Sequence, residues 1–493
     1  MTARTLMVQG TASSVGKSLL VTALCRIYAR RGVRVAPFKS QNMALNSAAT
    51  PDGAEIGRAQ LVQAEAARAV ACAEMNPILL KPETTSASQV IVLGRSIGSM
   101  HFRDYHQRKL ELRSVVAESL RKLRERFELV IIEGAGSPAE VNLKSRDLVN
   151  MWVAEQADAP VVLITDIERG GALAALVGTL ELLEPAERAR VRALVVNKFR
   201  GDPSLFVDGV RFLEERCRVP VAGVVPHMGD TGIASEDSLD VRERNTGSGA
   251  SVAVLRLPRL SNFDEFEPLS RADGISLRWC ERPEQLEGAA LVIVPGTKCT
   301  VADLAWLRER GLAGALVERA AAGKPILGIC GGFQMLGERI LDPEGVESRD
   351  ADVPGLGLLP VITRFVREKV VAPVEMRLAE GLPLLRAAGG RPAAGYEIHC
   401  GRVEVLPHAR PFGTIVRRGG TAVSEPEGAV LPGGAVAGTL VHGLLEDGQV
   451  RAALLAALGA KGAGAAAIDP YESLANHFEG ALNMALLDRL VAL

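Results

Sequence analysis

Residues 324–336 have the sequence KPILGICGGFQML, which predicts a tight turn between a buried strand and a helix. The apolar run at 325–329 predicts the strand, and the glycines around Cys330 suit a sharp turn with no room for side chains. A cysteine on such a turn lies at the first N–H groups of the helix, where the dipole favours a thiolate. Cys330 is therefore a candidate nucleophile, although a lone cysteine can equally be a small buried hydrophobic residue.

Two further segments supply what a cysteine nucleophile needs. The apolar stretch at 290–294 precedes a Pro-Gly-Thr loop that contains Gly296. If its strand neighbours that of the cysteine, the backbone N–H groups of Gly296 and Gly331 converge as an oxyanion hole. His442 follows a later strand and is a candidate base for the thiol. The alternative is a structural role, which is common for a single histidine on a strand.

The N-terminal part of the chain contains a candidate phosphate-binding loop. A strand at 4–10 leads into GTASSVGKS, residues 10–18, and an amphipathic helix follows. In this context the loop N–H groups surround phosphate oxygens, Lys17 reaches the β- and γ-phosphates of ATP, and Ser18 ligates Mg²⁺. The loop residues also predicted to bind ATP are Gly10, Thr11 and Gly16. Five residues separate the two glycines instead of the usual four, as in the dethiobiotin-synthetase-like branch of P-loop proteins.

Polar residues close several of the strands that follow. Lys39 lies just after the second strand, where open α/β sheets hold ligands, and is a candidate ATP contact. Glu133 ends the apolar run at 129–132 and is a candidate Mg²⁺ ligand, together with Asp166 at the end of a later strand. Asn197, after the next strand, is placed to reach a purine edge. For these last two residues, capping of the following helix is the open alternative.

Composition limits the classes of partner. The chain has 493 residues, 47% hydrophobic and 23% charged, with a net charge of −1, which favours a multidomain globular protein and gives no reason to expect nucleic acid. No apolar stretch is long enough for a membrane span, and no signal peptide is expected. The seven cysteines contain no CxxC pair, which fits a reducing cytoplasm. The sequence contains no indication of oligomeric state.

The alternation of strands and helices predicts an α/β protein with two doubly wound domains in series. We expect an ATP-binding domain at 1–235, a charged and then Gly/Ser-rich linker at 236–250, and a second α/β domain at 251–450. Residues 451–493 are expected to form a helical segment packed on the second domain.

Together these motifs resemble a known family. The second half is similar to class I glutamine amidotransferase domains, which have a flavodoxin-like sheet, a Gly-x-Cys-x-Gly elbow and a distal histidine. Its pairing with a P-loop half resembles the corrin amidotransferases of cobalamin biosynthesis, and within them the cobyric acid synthase branch. The resemblance covers essentially the whole chain and depends on the order of several motifs, which are QNMALNS, EGAGSPAEVNL, TDIERGG, VNKFRGD, SNFDEF and GYEIHCG.

The resemblance implies a function and its substrates. It implies ATP- and glutamine-dependent amidation of the b, d, e and g carboxylates of adenosylcobyrinic acid a,c-diamide, an adenosylated corrin carboxylic acid. Cys330 and His442 would release ammonia from L-glutamine, and the P-loop site would activate the corrin carboxylate with ATP and Mg²⁺. Other carboxylate amidotransferases of this architecture remain open, such as cobyrinic acid a,c-diamide synthase. A P-loop partitioning ATPase is a more remote alternative, because the loop lacks the extra lysine typical of that class.

One position departs from the general triad pattern. Most class I glutaminases have a glutamate two residues after the histidine, whereas this chain has Leu444 there. The cobyric acid synthases are similar in lacking it. The group that orients His442 is therefore unassigned, with Glu397 and His399 as possible contributors and a structural role as their alternative.

Overall fold

The computed structural model describes residues 2–233, 249–460 and 469–492. In the N-terminal half the strands are β1 (Arg4–Gly10), β2 (Val35–Phe38), β3 (Gln41–Met43), β4 (Ser47–Ala49), β5 (Glu55–Gly57), β6 (Ile78–Pro82), β7 (Ala87–Val92), β8 (Arg95–His101), β9 (Leu129–Glu133), β10 (Val161–Asp166), β11 (Val191–Phe199) and β12 (Val221–Pro226). The helices of this half are α1 (Lys17–Arg30), α2 (Arg58–Ala66), α3 (Phe102–Arg126), α4 (Met151–Ala157), α5 (Ala172–Glu181), α6 (Pro185–Arg188) and α7 (Val207–Cys217).

The first half is built on a six-stranded parallel sheet in the order β12-β11-β10-β1-β9-β2. Alternate residues of β1 enter two different cores, with Met7 on one face and Leu6 and Val8 on the other. Both faces of the sheet are thus covered by helices, which explains why its strands are almost continuously apolar. The carboxyl ends of β1, β9, β10 and β11 lie side by side. A smaller four-stranded sheet, β3-β6-β7-β8, and the β4-β5 hairpin are attached to this core.

The second half repeats the α/β pattern. Its strands are β13 (Ala250–Leu255), β14 (Ile275–Cys280), β15 (Leu291–Val294), β16 (Ile326–Ile329), β17 (Arg339–Leu341), β18 (Asp352–Pro354), β19 (Val361–Leu378), β20 (Pro392–Val405), β21 (Gly413–Arg418), β22 (Thr421–Glu427), β23 (Ala429–Val430) and β24 (Val436–Thr439). Its helices are α8 (Glu267–Ser270), α9 (Thr300–Glu309), α10 (Leu312–Ala321), α11 (Gly331–Leu336) and α12 (Gly448–Ala457), followed by α13 (Pro470–Ala481) and α14 (Met484–Leu490).

The central sheet of this half has the order β14-β13-β15-β16-β24-β23 and is parallel except for β23. As expected from the sequence, β15 and β16 are neighbours, and β24 lies on the other side of β16. The loops that carry Gly296, Cys330 and His442 therefore emerge from adjacent strands at one edge. A second, largely antiparallel sheet contains β17, β18, β19, β21 and β22, with β20 paired to β19. The predicted α/β class with parallel sheets in both halves is confirmed.

The C-terminal segment differs from the prediction. We expected all of 451–493 to pack on the second domain, but α13 and α14 pack on the first. Leu474, Phe478 and Leu487 share one core with residues of α1. Arg26 of α1 lies 2.9 Å from Asp469, and ion pairs to other residues of the segment follow along the helix. The prediction was wrong because the apolar face of a helix packs against the surface that matches it in shape and polarity, and that surface need not be near the helix in the sequence.

Most of the predicted linker, 236–248, lies outside the described residues, and β13 begins at Ala250. Among the residues that the structure describes, no helix is long and apolar enough to span a bilayer.

Candidate active sites

The elbow at Cys330 has the strained backbone that its sequence indicates. Cys330 has φ 50° and ψ −111°, a conformation that residues with a side chain rarely adopt. The strain is retained because the elbow is packed on both sides: a Cβ on Gly332 would collide with the carbonyl oxygen of Val294. The Cys330 N–H donates to the carbonyl oxygen of Thr439 over 2.8 Å, which ties the elbow to β24. The cysteine is held at the carboxyl end of the central sheet.

His442 lies beside the thiol and is oriented by a carboxylate. The Cys330 side chain is its electrostatic partner on one side, and the Cys330 Sγ–H also donates to the carbonyl oxygen of Ile398 over 3.8 Å. On the other side, His442 Nδ1 is 2.9 Å from Glu265 Oε1, and the Gly443 N–H donates to Glu265 Oε2 over 3.0 Å. The Tyr396 ring stacks on the imidazole, with 5.5 Å between centroids. Cysteine, histidine and glutamate therefore form a continuous triad, almost fully removed from solvent.

The electrostatics of the triad favour a protonated histidine. Burial lowers the pKa of His442, but the charges of Glu265 and Cys330 and their hydrogen bonds outweigh it and raise the pKa to about 10. An imidazolium next to the cysteine is the form that can give a proton to a departing amine. The arrangement can therefore attack an amide carbon and return a proton to the leaving amine.

The predicted oxyanion-hole residues lie at this triad. A Cβ on Gly296 would be 2.7 Å from His442 Cε1, and a Cβ on Gly331 would be 2.7 Å from Thr297 Cγ2. The loop after β15 and the elbow after β16 thus touch each other, as the strand order requires. That the backbone N–H groups of Gly296 and Gly331 donate to the oxyanion stays a prediction, which the proximity of the two loops supports.

The phosphate-binding loop has a built-in brace. Gly16 has φ 103°, and a Cβ there would collide with the side-chain amide of Asn197. Asn197 Nδ2 donates to the carbonyl oxygen of Val15 over 2.9 Å, so this buried residue supports the loop from β11. Thr11 is linked to Thr165 through their hydroxyls, 2.9 Å apart. The purine contact that we expected of Asn197 stays a prediction.

Charged groups meet at the mouth of the loop around Glu133. Its Oε1 accepts from Ser18 Oγ over 2.8 Å and from Lys39 Nζ over 2.9 Å, and its Oε2 accepts from Gln63 Nε2 over 2.5 Å. Lys17 Nζ donates to the carbonyl oxygens of Ala12 and Gly136 over 2.8 and 3.2 Å. Lys17, Ser18, Lys39 and Glu133 line a cavity of about 970 Å³, which is large enough for a nucleotide and part of a second substrate.

The same mouth has the chemistry of a magnesium site. The Ser18 hydroxyl and the Glu133 carboxylate are oxygen ligands in contact, and Mg²⁺ bound with phosphates needs only one or two protein ligands. Asp166 lines the cavity too, but its Oδ2 is 2.8 Å from Lys198 Nζ and its Oδ1 accepts from the Glu168 N–H. The donor set therefore fits Mg²⁺ on Ser18 and Glu133, and a role of Asp166 at the metal stays a prediction.

Comparison with known proteins identifies the family. Residues 6–240 match the CobQ/CobB/MinD/ParA nucleotide binding domain, and residues 251–450 match the CobB/CobQ-like glutamine amidotransferase domain. A cobyric acid synthase of Sorangium cellulosum (strain So ce56) is 56% identical, over 100% of this chain and 99% of that protein. The chain belongs to the cobyric acid synthase family.

Other cobyric acid synthases agree. That of Pelotomaculum thermopropionicum is 51% identical over 92% of this chain and 87% of its own length, and that of Chloroflexus aggregans is 48% identical over 100% of both. Membership of this family makes the chain a ligase with a glutamine amidotransferase domain and implies that it uses ATP.

Sequence reasoning missed Glu265. The cobyric acid synthase motif SNFDEF contains it, but two adjacent acids in a short motif do not show which histidine they face. The two residues considered instead are engaged elsewhere: Glu397 Oε2 is 2.7 Å from Arg418 Nε, and His399 Nδ1 is 2.8 Å from the carbonyl oxygen of Gly401. The only signal available was the position of the motif, which follows β13 at the same edge of the sheet as the elbow.

Proposed function

We propose that this chain amidates the b, d, e and g carboxylates of adenosylcobyrinic acid a,c-diamide, using ATP and glutamine, to form adenosylcobyric acid in cobalamin biosynthesis. The names of the relatives support this product. The observation that carries the proposal is the buried Cys330–His442–Glu265 triad on the same chain as the braced phosphate-binding loop. We also propose a cytoplasmic location, which the seven unpaired cysteines support.

In the glutaminase half, the Cys330 thiolate attacks the amide carbon of glutamine. The N–H groups of Gly296 and Gly331 stabilise the oxyanion, and His442 gives its proton to the departing ammonia, which leaves a thioester on the sulfur. His442 then takes a proton from water, which attacks the thioester and releases glutamate. Glu265 keeps the Nδ1–H tautomer throughout, so that Nε2 faces the reaction.

In the nucleotide half, the chain positions a phosphoryl transfer. Lys17 and Lys39 neutralise the charge that develops as the γ-phosphoryl group of ATP passes to a corrin carboxylate. Mg²⁺, when held by Ser18 and Glu133, supplies further neutralisation and orients the phosphates. The product is an acyl phosphate. Ammonia attacks its carbonyl carbon, phosphate leaves, and the amide forms with loss of a proton.

The division of labour is tested with variants of each site. Cys330→Ala is expected to abolish amidation with glutamine but retain amidation with an ammonium salt. Lys17→Ala is expected to lose both reactions. Mass spectrometry of the corrin products measures each. Glutamine-dependent amidation by Cys330→Ala would refute the nucleophile, and activity of Lys17→Ala would refute the ATP site.

Substrate profiling separates this proposal from the nearest alternative. The wild-type protein is given either the a,c-diamide or the corrin acid without amides, each with ATP and glutamine. Amidation of the a,c-diamide supports the proposal. Turnover of the acid alone, stopping at the a,c-diamide, would assign a cobyrinic acid a,c-diamide synthase activity instead.

A further inference from the structure

The segment that carries Glu265 is held by the other half of the chain. The Asn262 N–H donates to Asn46 Oδ1 over 2.7 Å, and the Ser47 N–H donates to Asn262 Oδ1 over 3.1 Å. Asn262 has φ 55°, and both of these contacts are buried. The turn that leads into Glu265 is therefore fixed by reciprocal hydrogen bonds to the nucleotide-binding half.

Arg58 extends this contact to both sides of the histidine–glutamate pair. Its Nε is 2.7 Å from Asp264 Oδ2, and its Nη2 is 2.8 Å from each oxygen of Glu446. Asp264 precedes Glu265, and Glu446 follows closely after His442. Only 14% of the arginine side chain and 1% of the Asp264 side chain are exposed. One guanidinium thus joins the two segments whose side chains form the base of the triad.

The helix that begins with Arg58 also reaches the nucleotide site. Gln63, near the other end of α2, donates to Glu133 Oε2, and Gln60 Oε1 accepts from Asn42 Nδ2 over 3.0 Å. The Arg58 N–H donates to the Asn46 carbonyl oxygen over 3.2 Å, which ties the helix start to the loop that binds Asn262. A helix is a rigid element, so a displacement at one end is transmitted to the other.

We propose that Arg58 is a positioning residue that makes glutamine hydrolysis depend on the nucleotide-binding half. It does not lie among the reacting atoms; it acts through Asp264 and Glu446 on the orientation of Glu265 and His442. This inference rests on the proposed function. Without the guanidinium, the buried Asp264 carboxylate is left close to the charges of Glu265 and Glu446, and like charges in a dry site push the segment out of place.

The coupling also has a thermodynamic requirement. A ligand shifts an equilibrium only if it binds two states with different affinity, and the effect between two sites is reciprocal. Glu133 gives ATP a different affinity for the two states, because its contacts to Ser18, Lys39 and Gln63 lie where the phosphates and their counter-ion are proposed to bind. We therefore expect a non-hydrolysable ATP analogue to change the rate of glutamine hydrolysis through α2 and Arg58.

The test compares Arg58→Gln and Arg58→Lys with a matched control, all in the full-length chain. The control is Lys369→Gln, which breaks another ion pair between the two halves, 2.5 Å from Glu55. Among the described residues, the hydrogen bonds of Lys369 go to Glu55 and Gln89 and not to the segments that carry Glu265 and His442. Glutamine hydrolysis is measured as glutamate release, with and without the ATP analogue. Amidation with ammonium and the thermal unfolding midpoint are measured in parallel.

Arg58→Gln is expected to lower kcat for glutamine hydrolysis about tenfold or more, a typical coupling between sites, while KM for glutamine changes little. The response to the ATP analogue should disappear, ammonium-dependent amidation should persist, and Arg58→Lys should restore part of the rate. Lys369→Gln should match the loss of thermal stability without the loss of kcat.

Two results would overturn the proposal. One is an Arg58→Gln protein with wild-type kcat and an intact response to the ATP analogue. The other is a Lys369→Gln protein with the same loss of kcat, because the effect would then belong to the interface in general. Glutamine hydrolysis is measured without the corrin acid, so the two proposals fail separately: a wild-type protein that does not amidate the corrin refutes the proposed function and leaves the test of Arg58 intact.

Discussion

Replacing Glu265 with glutamine is expected to disable glutamine hydrolysis while the side chain keeps its size. The Glu265 carboxylate accepts two hydrogen bonds, one from His442 Nδ1 and one from the Gly443 N–H. A glutamine side chain has only one acceptor oxygen, so one of the two donors would face an amide N–H instead. If the oxygen turns to Gly443, the imidazole is driven to the tautomer with its proton on Nε2. That tautomer cannot accept the Cys330 proton.

The magnitude follows from the charge balance around the imidazole. The rise in the pKa of His442 from 6.5 to about 10 corresponds to roughly 5 kcal/mol of preference for the imidazolium. The charges and hydrogen bonds of Glu265 and Cys330 provide it, with the charge of Glu265 the largest single favourable cause, and together they overcome the opposing effect of burial. The charge-assisted hydrogen bond that Glu265 makes with the imidazolium contributes about 1.5–3 kcal/mol, so its loss lowers the population of the imidazolium–thiolate pair, and with it the rate, roughly ten- to a hundredfold. The tautomer error adds to this loss.

The assay measures glutamate release under saturating glutamine, with ammonium-dependent amidation as the internal reference. We expect kcat for glutamine to fall at least a hundredfold and the ammonium reaction to be retained. Glu397→Gln is the matched control, because Glu397 is a buried carboxylate in the same half whose ion pairs, among the described residues, go to Arg418 and His399. A folded Glu265→Gln protein that keeps more than about a third of the wild-type kcat would refute the triad assignment.

Three further predictions address other features. Gly296→Ala places a methyl group 2.7 Å from His442 Cε1 and should abolish glutamine hydrolysis while sparing the ammonium reaction, whereas Gly314→Ala, with open space at its Cβ, should behave as wild type in the same assays. Phe478→Ala removes a buried ring from the core shared with α1 and should lower the free energy of unfolding by about 3–5 kcal/mol, measured by urea denaturation. An unchanged unfolding transition would contradict the packing of α13 on the first half. Because the pKa of His442 is raised from 6.5 to about 10, its charge contributes stability that is complete below pH 6.5 and is lost as the pH rises through 10. The thermal unfolding midpoint should therefore fall more steeply between pH 6.5 and about 10 in the wild type than in His442→Gln. Parallel curves for the two proteins would refute the charged histidine.

The parts of the sites that could be predicted are those encoded by contiguous residues. The elbow at Cys330 and the loop ending at Ser18 each combine a strand, a turn and a helix within a short window, so glycine and apolar patterns were sufficient. The neighbouring positions of Gly296 and Gly331 then followed from the strand order of a parallel sheet. Each of these predictions uses one local pattern and one general rule of topology.

Glu265 could not be found in this way. It contacts a histidine 177 residues away in the sequence, and its place depends on a turn at Asn262 that is held by the other half of the chain. The sequence pattern of the second half contains no sign that the turn at Asn262 depends on contacts to the first half. The same limit applies to Asn197, because its use as a brace for Val15 depends on the side-by-side order of β10 and β11.

The packing of α13 and α14 on α1 has a consequence for biosynthesis of the protein. The ribosome makes the nucleotide-binding half first, yet the helices that cover Leu20, Leu24 and Tyr28 are translated only after the whole amidotransferase half. At a translation rate of about 5–20 residues per second, the apolar side of α1 stays exposed for tens of seconds, until the amidotransferase half and then α13 and α14 have been made. During that interval the nascent chain presents an unprotected apolar surface, which is the kind of site that chaperones bind. A protein truncated before Pro470 would keep that surface permanently, and we expect it to aggregate although both sets of catalytic residues are present.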